Sequence, residues 1–406
     1  MKSFLVLITV AIPLALAACT GDDTQVEASG TDAGGSGNDG AIGSDAGGDG
    51  SSIPDAGTTD AGHFTPGAPI TGLTNGAWTW VDIAGAKCRD GSSTGIGVNP
   101  SATGSTKVMI FLEGGGACFN STTCSSNPAT FGAASFPSFA GGEGLAGIFS
   151  RTDTANSVKD WNMVYVPYCT GDVHGGSAPD ATVTGVVGNQ QFVGYDNVTR
   201  DLERVVPTFA GTTQVLLTGQ SAGGFGAALN YVQTARAFDT VPVTLIDDSG
   251  PLMANPTLAA CLESAMLGLW GMSKTVISDC GSDCSDPGNA LSQYWVHLPK
   301  TYPNVPFTFL DSTGDGVISS FFGFGANNCG AYAAITPAAY EAAVLDMRTK
   351  VASDPNAGLY LFGGSAHTSL VAAYTTRTAP ASDGGTIKLE DWVTSVVGGA
   401  APNVGP

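Results

Sequence analysis

The sequence predicts an α/β fold, a mostly parallel sheet with helices on both faces, on three observations. Short, continuously apolar segments of the kind that form buried strands alternate with segments of helical spacing. Polar residues that can carry chemistry directly follow several of these strands. One strand runs into the pattern Gly-x-Ser-x-Gly at residues 219–223, and an Ala-rich helical stretch comes next. Strands that alternate with helices favour a parallel sheet covered on both sides.

The strands are expected at residues 78–83, 107–112, 161–166, 214–218, 243–246, 306–310 and 359–362. The helices are expected at residues 195–206, after Ser221, and at residues 337–351. Ligands of such sheets bind outside the carboxyl ends of the strands. Glu113, Ser221, Asp311 and His367 each follow a predicted strand, so we expect them along one edge of the sheet.

The folded domain is expected to begin well inside the chain. Residues 1–19 have a positive start, an apolar core and a final Ala-Ala-Cys, which resembles a bacterial lipoprotein signal and implies diacylation of Cys19. A plain signal peptide is the alternative. Residues 20–63 are rich in Gly, Asp and Ser and contain no Lys or Arg, so they are expected to form a disordered tether. Residues 64–406 would then form one large catalytic domain of a secreted protein, lipid-anchored in the bacterial cell envelope.

Charge and cysteine content restrict the partners. The formal net charge of −20 argues against nucleic acid, and contact with a membrane is expected through the lipid anchor alone. Nine cysteines leave eight once Cys19 is assigned to lipid, so four disulfides are expected in an oxidising compartment. Cys118 and Cys124 are close enough to close a small loop, as are Cys280 and Cys284. A metal site at the second pair lacks a matching pair of ligands, and no metal is expected.

Ser221 is the predicted nucleophile. It lies in the strand–turn–helix context that exposes a serine hydroxyl on a sharp turn. Side chains at positions 219 and 223 would clash where the strand and the helix pack closely, which accounts for glycine at both. An ordinary strand-to-helix turn is the alternative interpretation.

A serine nucleophile needs a base, and His367 is the predicted one. The base must lie within hydrogen-bond reach of the hydroxyl and must itself be oriented by a carboxylate. In hydrolases of this architecture the chain order is serine, acid, histidine, which His367 satisfies at a strand end. His297 lies in an apolar helical patch, His174 precedes the nucleophile, and His63 lies in the predicted tether.

The predicted acid is Asp311, with Asp315 as the alternative. Asp311 directly follows its strand, whereas Asp315 comes four residues later. Asp247 and Asp248 follow another strand but precede the expected position of the acid. A half calcium loop built on Asp311 and Asp315 would lack the later bidentate glutamate.

The predicted oxyanion hole consists of main-chain amides. The amide of Ala222 follows the nucleophile, and a second donor is expected from the Gly-rich segment Gly114–Ala117. Glycines in that segment let the backbone approach a substrate carbonyl, although a plain Gly-rich turn is the alternative.

Several segments together resemble the pectin acetylesterases, the family that includes the animal Notum esterases. They are Phe111–Asn120, Gly219–Gly224, Cys88–Ser92, Tyr168–Asp172, Asp248–Gly250 and Asp311-Ser312, and they extend over about residues 70–375. The resemblance implies an α/β-hydrolase-like, disulfide-stapled enzyme that cleaves O-acyl esters. The residues that it implies for catalysis are Ser221, Asp311 and His367, with Gly115, Gly116 and Ala222 in the oxyanion hole.

The resemblance also implies two disulfides and identifies departures from the family pattern. The implied disulfides are Cys88–Cys169 and Cys118–Cys124. The departures are Gln220 in place of the usual cysteine, Gly116 in place of the tryptophan of the Notum branch, and no Trp-Gln after Asp311-Ser312. These departures concern substrate choice more than chemistry.

We therefore expect a monomeric serine carboxylesterase that needs no cofactor and hydrolyses O-acyl esters, chiefly O-acetyl esters of carbohydrate. A lipase or a polyester depolymerase is the first alternative, since Trp270, Phe321 and Phe322 could build an apolar groove or belong to the core. A surface lipoprotein that binds glycan without catalysis is the second.

Overall fold

The computed structural model describes residues 64–406. Its strands and its helices are each numbered in chain order. The strands are β1 (Thr79–Lys87), β2 (Ser93–Asn99), β3 (Lys107–Leu112), β4 (Asn162–Val166), β5 (Ala178–Ala181), β6 (Gln190–Phe192), β7 (Gln214–Gln220), β8 (Val243–Asp248), β9 (Phe307–Ser312), β10 (Ala357–Phe362), β11 (Thr378–Pro380) and β12 (Thr386–Lys388). The helices are α1 (Ser121–Ser126), α2 (Phe136–Ala140), α3 (Gly194–Thr208), α4 (Ala222–Leu229), α5 (Tyr231–Phe238), α6 (Ala260–Leu269), α7 (Val276–Cys280), α8 (Ala290–Thr301), α9 (Gly316–Phe322), α10 (Ala326–Cys329), α11 (Pro337–Lys350) and α12 (Leu389–Val397).

Eight of these strands form a single sheet, in the order β1-β2-β4-β3-β7-β8-β9-β10. The six strands from β4 to β10 in this order are parallel. β1 and β2 complete the sheet as antiparallel strands at one edge. The predicted fold class, a mostly parallel sheet with helices, is therefore confirmed.

Side chains of β3 alternate between two hydrophobic cores, as they must in a pleated strand. Val108, Ile110 and Leu112 face a core to which α3, α4, α5, α8 and α11 contribute. Met109 and Phe111 face a second core that includes residues of α2 and α12. Helices thus cover both faces, which explains why β3 is apolar at successive residues from Val108 to Leu112.

The antiparallel strand β2 is absent from the sequence prediction because its sequence, Ser-Thr-Gly-Ile-Gly-Val-Asn, is interrupted by glycines. Both glycines are required by packing. A Cβ at position 95 would overlap the carbonyl of Val81 on β1, and a Cβ at position 97 would overlap the ring of Phe136.

Four disulfides link the described residues. They are Cys88–Cys169, Cys118–Cys124, Cys261–Cys329 and Cys280–Cys284. The first two are the pairs that the family resemblance implies, and the last closes the short loop expected from its spacing. The sulfurs of Cys280 and Cys284 are bonded to each other and are therefore not available as metal ligands. Disulfides persist in oxidising compartments, so this set favours an extracellular protein.

The predicted signal peptide, the predicted tether, Cys19 and His63 lie outside the described residues. Within residues 64–406, no helix combines the length and the apolar composition that crossing a bilayer would require.

Helix α3 buries a carboxyl that makes the stability of the fold depend on pH. Asp201 lies on its buried face, and burial raises the pKa of this carboxyl to about 8, although the neighbouring Arg200 lowers it. Between its ordinary value of 3.8 and about 8, the folded protein binds a proton that the unfolded chain has released. The free energy of unfolding therefore falls as the pH rises through this range.

Replacing Asp201 by Asn removes this titration. We expect Asp201→Asn to raise the melting temperature by roughly 5 °C at pH 9 and to change it little at pH 4, where the wild-type carboxyl is protonated. Thermal unfolding followed by circular dichroism at both pH values measures the difference. The control is Glu341→Gln on the exposed side of α11, which should leave both melting temperatures unchanged. Equal shifts for Asp201→Asn at the two pH values would contradict the assignment.

Candidate active site

Ser221 stands on a strained turn between β7 and α4. Its backbone adopts φ 58° and ψ −123°, a conformation that a non-glycine residue keeps only when its surroundings enforce it. Its amide donates to the carbonyl oxygen of Asp248 at 2.7 Å, and its carbonyl accepts from the amides of Gly224 and Phe225 at 2.9 and 3.1 Å. The turn is therefore held from β8 on one side and from α4 on the other.

Glycines around Ser221 are dictated by close backbone packing. A Cβ at position 114 would lie 2.5 Å from the carbonyl oxygen of Gln220 and 2.8 Å from the Cβ of Ser221. A Cβ at position 223 would overlap the carbonyl oxygen of Leu112 at the end of β3, and one at position 219 would overlap the carbonyl of Gly223. The expectation that side chains at positions 219 and 223 would clash is confirmed.

The Gly-rich loop after β3 is fixed by hydrogen bonds from beneath. The Nε2 of His174 lies 2.9 Å from the carbonyl oxygen of Glu113, and the side-chain amide of Asn127 donates to the carbonyl oxygen of Gly115 at 2.8 Å. Since a carbonyl only accepts, Nε2 of His174 carries the hydrogen. Burial lowers the pKa of His174 to about 4, so this histidine is neutral and supports the loop.

Within residues 64–406, two residues with unpaired main-chain amides line the cavity at Ser221. Gly116, Ser221 and Ala222 line the same cavity. Among the described residues, no acceptor is hydrogen-bonded to the amide of Gly116 or of Ala222. Gly116 has φ 79°, a left-handed conformation that favours glycine, and Phe321 packs where a side chain at position 116 would project. Gly115 lies one residue earlier on the loop.

His367 follows β10 and is paired with a buried carboxylate. Its Nδ1 lies 2.6 Å from Oδ2 of Asp315. The other carboxylate oxygen, Oδ1, accepts the amides of Val317 and Ile318 at 2.8 and 2.9 Å, so Asp315 is the N-cap of α9. The Nε2 of His367 is buried and has no hydrogen-bond partner among the described residues. The contact at Nδ1 therefore orients the ring, and Nε2 stays available for a hydrogen bond.

In the structure Asp315, and not the predicted Asp311, pairs with His367. Phe307, Phe309 and Asp311 alternate along β9, and the two phenylalanines belong to the core that includes α11. Asp311 is accordingly buried beneath the sheet edge, where its Oδ2 lies 2.5 Å from the hydroxyl of Tyr340. Burial, reinforced by the neighbouring charge of Asp315, raises the pKa of Asp311 well above its ordinary value. The carboxyl of Asp311 therefore belongs to the core, and the alternative acid, Asp315, pairs with the imidazole.

The sequence does contain a signal that favours Asp315. An aspartate followed by glycine and an apolar pair, Asp315-Gly316-Val317-Ile318, is typical of a helix N-terminus. The direction of an N-cap side chain beyond the end of a strand is not determined by the alternation of side chains along that strand. The prediction gave more weight to adjacency to the strand.

Two other candidates lie apart from this arrangement. His297 on α8 lies 2.9 Å from Oδ2 of Asp283 and 3.1 Å from the hydroxyl of Thr301, at the surface. Asp247 lies at the end of β8, where its Oδ1 accepts the amide of Gly250 at 2.8 Å.

The cavity at Ser221 is small and apolar. Its volume is about 50 Å³. Beyond Gly116, Ala117, Ser221 and Ala222, its lining consists of aromatic and aliphatic side chains: Phe119, Val173, Phe225, Leu229, Leu258, Leu262, Met266, Trp270, Met272, Leu291, Ile318, Phe321 and Phe322. The sequence left two interpretations of Trp270, Phe321 and Phe322, as residues of an apolar groove or of the core. All three line this cavity.

The arrangement suits nucleophilic attack on a carbonyl group. It brings to one sheet edge a hydroxyl on a strained turn and an imidazole paired with a buried carboxylate. It adds Gly116 and Ala222, which line the same cavity as Ser221. These are the parts that acyl transfer requires.

Comparison with known proteins points to one family. A family model described as pectinacetylesterase matches residues 75–296, which is more than half of the chain. The match ends before Asp315 and His367, whose pairing therefore rests on the structure.

Similar proteins carry related names. The chain is 37% identical over 153 residues to the palmitoleoyl-protein carboxylesterase NOTUM of Schmidtea mediterranea, which covers 37% of this chain and 28% of that protein. It is 31% identical over 180 residues to the mouse protein of the same name, covering 41% and 34%. It is 25% identical over 244 residues to pectin acetylesterase 4 of Arabidopsis thaliana, covering 55% and 57%. The matched region thus spans about a third of the Notum proteins.

A solved structure shares the fold. The structure titled as the Wnt deacylase Notum from Drosophila superimposes with a TM-score of 0.56 at 19% identity, covering 81% of this chain and 96% of that one.

The packing around Ser221 can be tested by adding one methyl group. Gly223→Ala places a Cβ against the Leu112 carbonyl, so we expect the free energy of unfolding to fall by about 2–4 kcal/mol. Gly268→Ala is the control, because position 268 is an exposed site on α6 with open space around a Cβ; it should stabilise by up to about 1 kcal/mol. Denaturant unfolding measures both, and a Gly223→Ala variant as stable as wild type would contradict this packing.

Proposed function

Since the chain belongs to the pectinacetylesterase family, we propose that it is a serine carboxylesterase that hydrolyses short O-acyl esters. The observation that carries the proposal is the geometry of His367. Its Nδ1 is paired with Asp315, while its Nε2 is buried without a partner among the described residues. A ring held in this way is ready to accept a proton from a hydroxyl at the same sheet edge, and Ser221 is the hydroxyl that the strained turn presents there.

In the first half of the proposed reaction, the Oγ of Ser221 attacks the ester carbonyl carbon. Nε2 of His367 accepts the hydroxyl proton, and Asp315 stabilises the imidazolium that forms. The carbonyl oxygen becomes an oxyanion, which the amides of Gly116 and Ala222 hold, with Gly115 as a further donor. His367 then returns its proton to the departing alcohol, and the acyl group remains on Ser221.

In the second half, water replaces the alcohol. His367 accepts a proton from the water as it attacks the acyl carbon, and the same amides hold the second oxyanion. As this intermediate collapses, the bond between the acyl carbon and Oγ of Ser221 breaks and His367 returns its proton to that oxygen, which releases the carboxylic acid and restores the Ser221 hydroxyl. Every step uses side chains and amides of this chain.

The cavity supports a short acyl group. A volume of about 50 Å³ is small beside the 300–1,000 Å³ typical of pockets that enclose drug-sized ligands. An acetyl group is the natural occupant, and an acetylated carbohydrate is the substrate class that we propose. The aliphatic and aromatic side chains of the cavity wall favour a second candidate for the acyl group, a longer fatty acyl chain. Such a chain would enter only when these side chains move apart. The names of the similar proteins span both classes of ester.

We further propose that the enzyme acts outside the cell as a monomer. Four disulfides support a secreted protein. The lipid anchor at Cys19 and attachment to the bacterial envelope remain predictions from the sequence. A net charge of −20 argues against nucleic acid as a partner.

The proposal is tested with a series of p-nitrophenyl esters of increasing acyl length and with acetylated polysaccharides. We expect the acetyl ester to be hydrolysed with a higher kcat/KM than esters of eight or more carbons. Ser221→Ala should lower kcat by roughly 10⁴-fold or more while the far-UV circular dichroism spectrum stays unchanged.

The same experiment distinguishes the alternatives. A preference for long chains would favour the fatty acyl candidate. A wild-type protein that hydrolyses none of the esters and is not labelled by a fluorophosphonate probe would instead indicate a binding protein without catalysis.

The choice between the two aspartates gives a separate prediction. Asp315→Asn leaves His367 without an anionic partner and should lower kcat by about 10³–10⁴-fold. Asp311 contacts Tyr340 rather than His367, so replacing its carboxyl by an amide of the same shape in Asp311→Asn should keep kcat within about tenfold of wild type. Steady-state kinetics on the acetyl ester compare the two. A larger loss in Asp311→Asn than in Asp315→Asn would refute the assignment of Asp315.

A further inference from the structure

Asp248, at the end of β8, contacts both halves of the candidate site. Its carbonyl oxygen accepts the amide of Ser221 at 2.7 Å. Its carboxylate Oδ2 accepts the amides of Ser369 and Leu370, each at 2.7 Å, in the loop that carries His367. One residue is therefore hydrogen-bonded to the candidate nucleophile through its main chain and to the base loop through its side chain.

The next residue extends this connection. Oγ of Ser249 lies 3.0 Å from Oδ1 of Asp248 and accepts the amide of Thr368 at 3.1 Å. Three consecutive amides, those of residues 368–370, thus donate to oxygens of Asp248 and Ser249. We call these three hydrogen bonds, from the amides of residues 368–370 to Asp248 and Ser249, the clamp. Thr368 directly follows His367, so the clamp lies within one to three residues of the imidazole.

The sheet order explains why such a clamp is needed. His367 follows β10, and Ser221 follows β7, with β8 and β9 between them in the sheet. The loop after β10 must cross the end of β9 to bring an imidazole toward Ser221. A buried acceptor on β8 is well placed to hold that loop in the crossed position, and both Asp248 and Ser249 are fully buried.

We propose that Asp248 is a positioning residue that sets the placement of His367 relative to Ser221. This inference rests on the proposed function, because it concerns how the base reaches the nucleophile. Asp248 touches neither substrate nor the reacting atoms. Its effect is to restrict the base loop, and misplacing a catalytic group by 1 Å can cost about 10²-fold in rate.

The charge of the clamp is of secondary importance to its shape. An asparagine at position 248 can accept both loop amides with its Oδ1, while its Nδ2 donates to Oγ of Ser249. Asp248→Asn therefore keeps the connections and serves as the conservative variant. Asp248→Ala removes all of them except the main-chain bond to Ser221.

The neighbouring Asp247 is a matched control. It is also fully buried at the end of β8, but within residues 64–406 the amide of Gly250 is the only donor to its carboxylate. Asp247→Ala therefore removes a buried carboxylate from the same strand end without touching the base loop. A loss of activity that follows from general destabilisation would affect both alanine variants.

The test is steady-state hydrolysis of p-nitrophenyl acetate by the full chain. We expect Asp248→Ala to lower kcat by about 10²-fold with KM changed less than about threefold, since the acyl cavity is untouched. Asp248→Asn should restore kcat to within about tenfold of wild type, and Asp247→Ala should retain it within about threefold. Melting temperatures identify any variant that is unfolded at the assay temperature.

The outcomes separate this inference from the proposed function. A wild-type protein without esterase activity would refute the proposed function itself. An active wild type together with a folded Asp248→Ala variant of unchanged kcat would overturn the positioning role, as would equal losses in the two alanine variants. If Asp248→Ala does not fold, Ser249→Ala takes its place, with an expected loss in kcat of about tenfold at constant KM. Unchanged kcat in that variant would also overturn the inference.

Discussion

The packing of the turn at Ser221 against the end of β3 is the constraint on which the candidate site depends. The backbone of Gly223 lies so close to the Leu112 carbonyl that no side chain fits between them. This contact holds the start of α4 against the loop after β3. As a result the amides of Gly116 and Ala222 line the same cavity as the serine hydroxyl. The strain at Ser221 is maintained by this packing and by its hydrogen bond to β8.

Burial shifts the pKa values of two ionisable groups near the site in opposite directions. His174 is neutral, because burial lowers its pKa to about 4, and it supports the Gly-rich loop as a hydrogen-bond donor. Burial and the adjacent Asp315 raise the pKa of Asp311 well above its ordinary value. Asp315 receives two amides and the imidazole of His367, which are the partners a buried carboxylate needs. The carboxyl of Asp315 is thus placed where a developing imidazolium would need a partner.

The cavity wall is assembled from segments that are distant along the chain. Leu262 and Met266 come from α6, and Phe321 and Phe322 come from α9. The disulfide between residues 261 and 329 ties α6 to α10, which follows α9 closely. A covalent link at this point restricts how far the wall can open. The acyl length that the cavity admits therefore depends on these segments rather than on the sheet that carries Ser221 and His367.

The sequence by itself determined the features that local pattern controls. The apolar strands and the turn at Ser221 with its glycines follow from residues next to one another in the chain, and the choice of His367 follows from the order of the candidate residues along it. The tertiary structure decided which groups meet. Asp311 lies within β9 and Asp315 just beyond its end. The strand pleat turns Asp311 toward the core, whereas the start of α9 presents Asp315 to an imidazole 52 residues later. Contacts of that kind depend on how strands and helices are packed together, which residue patterns within single segments do not contain.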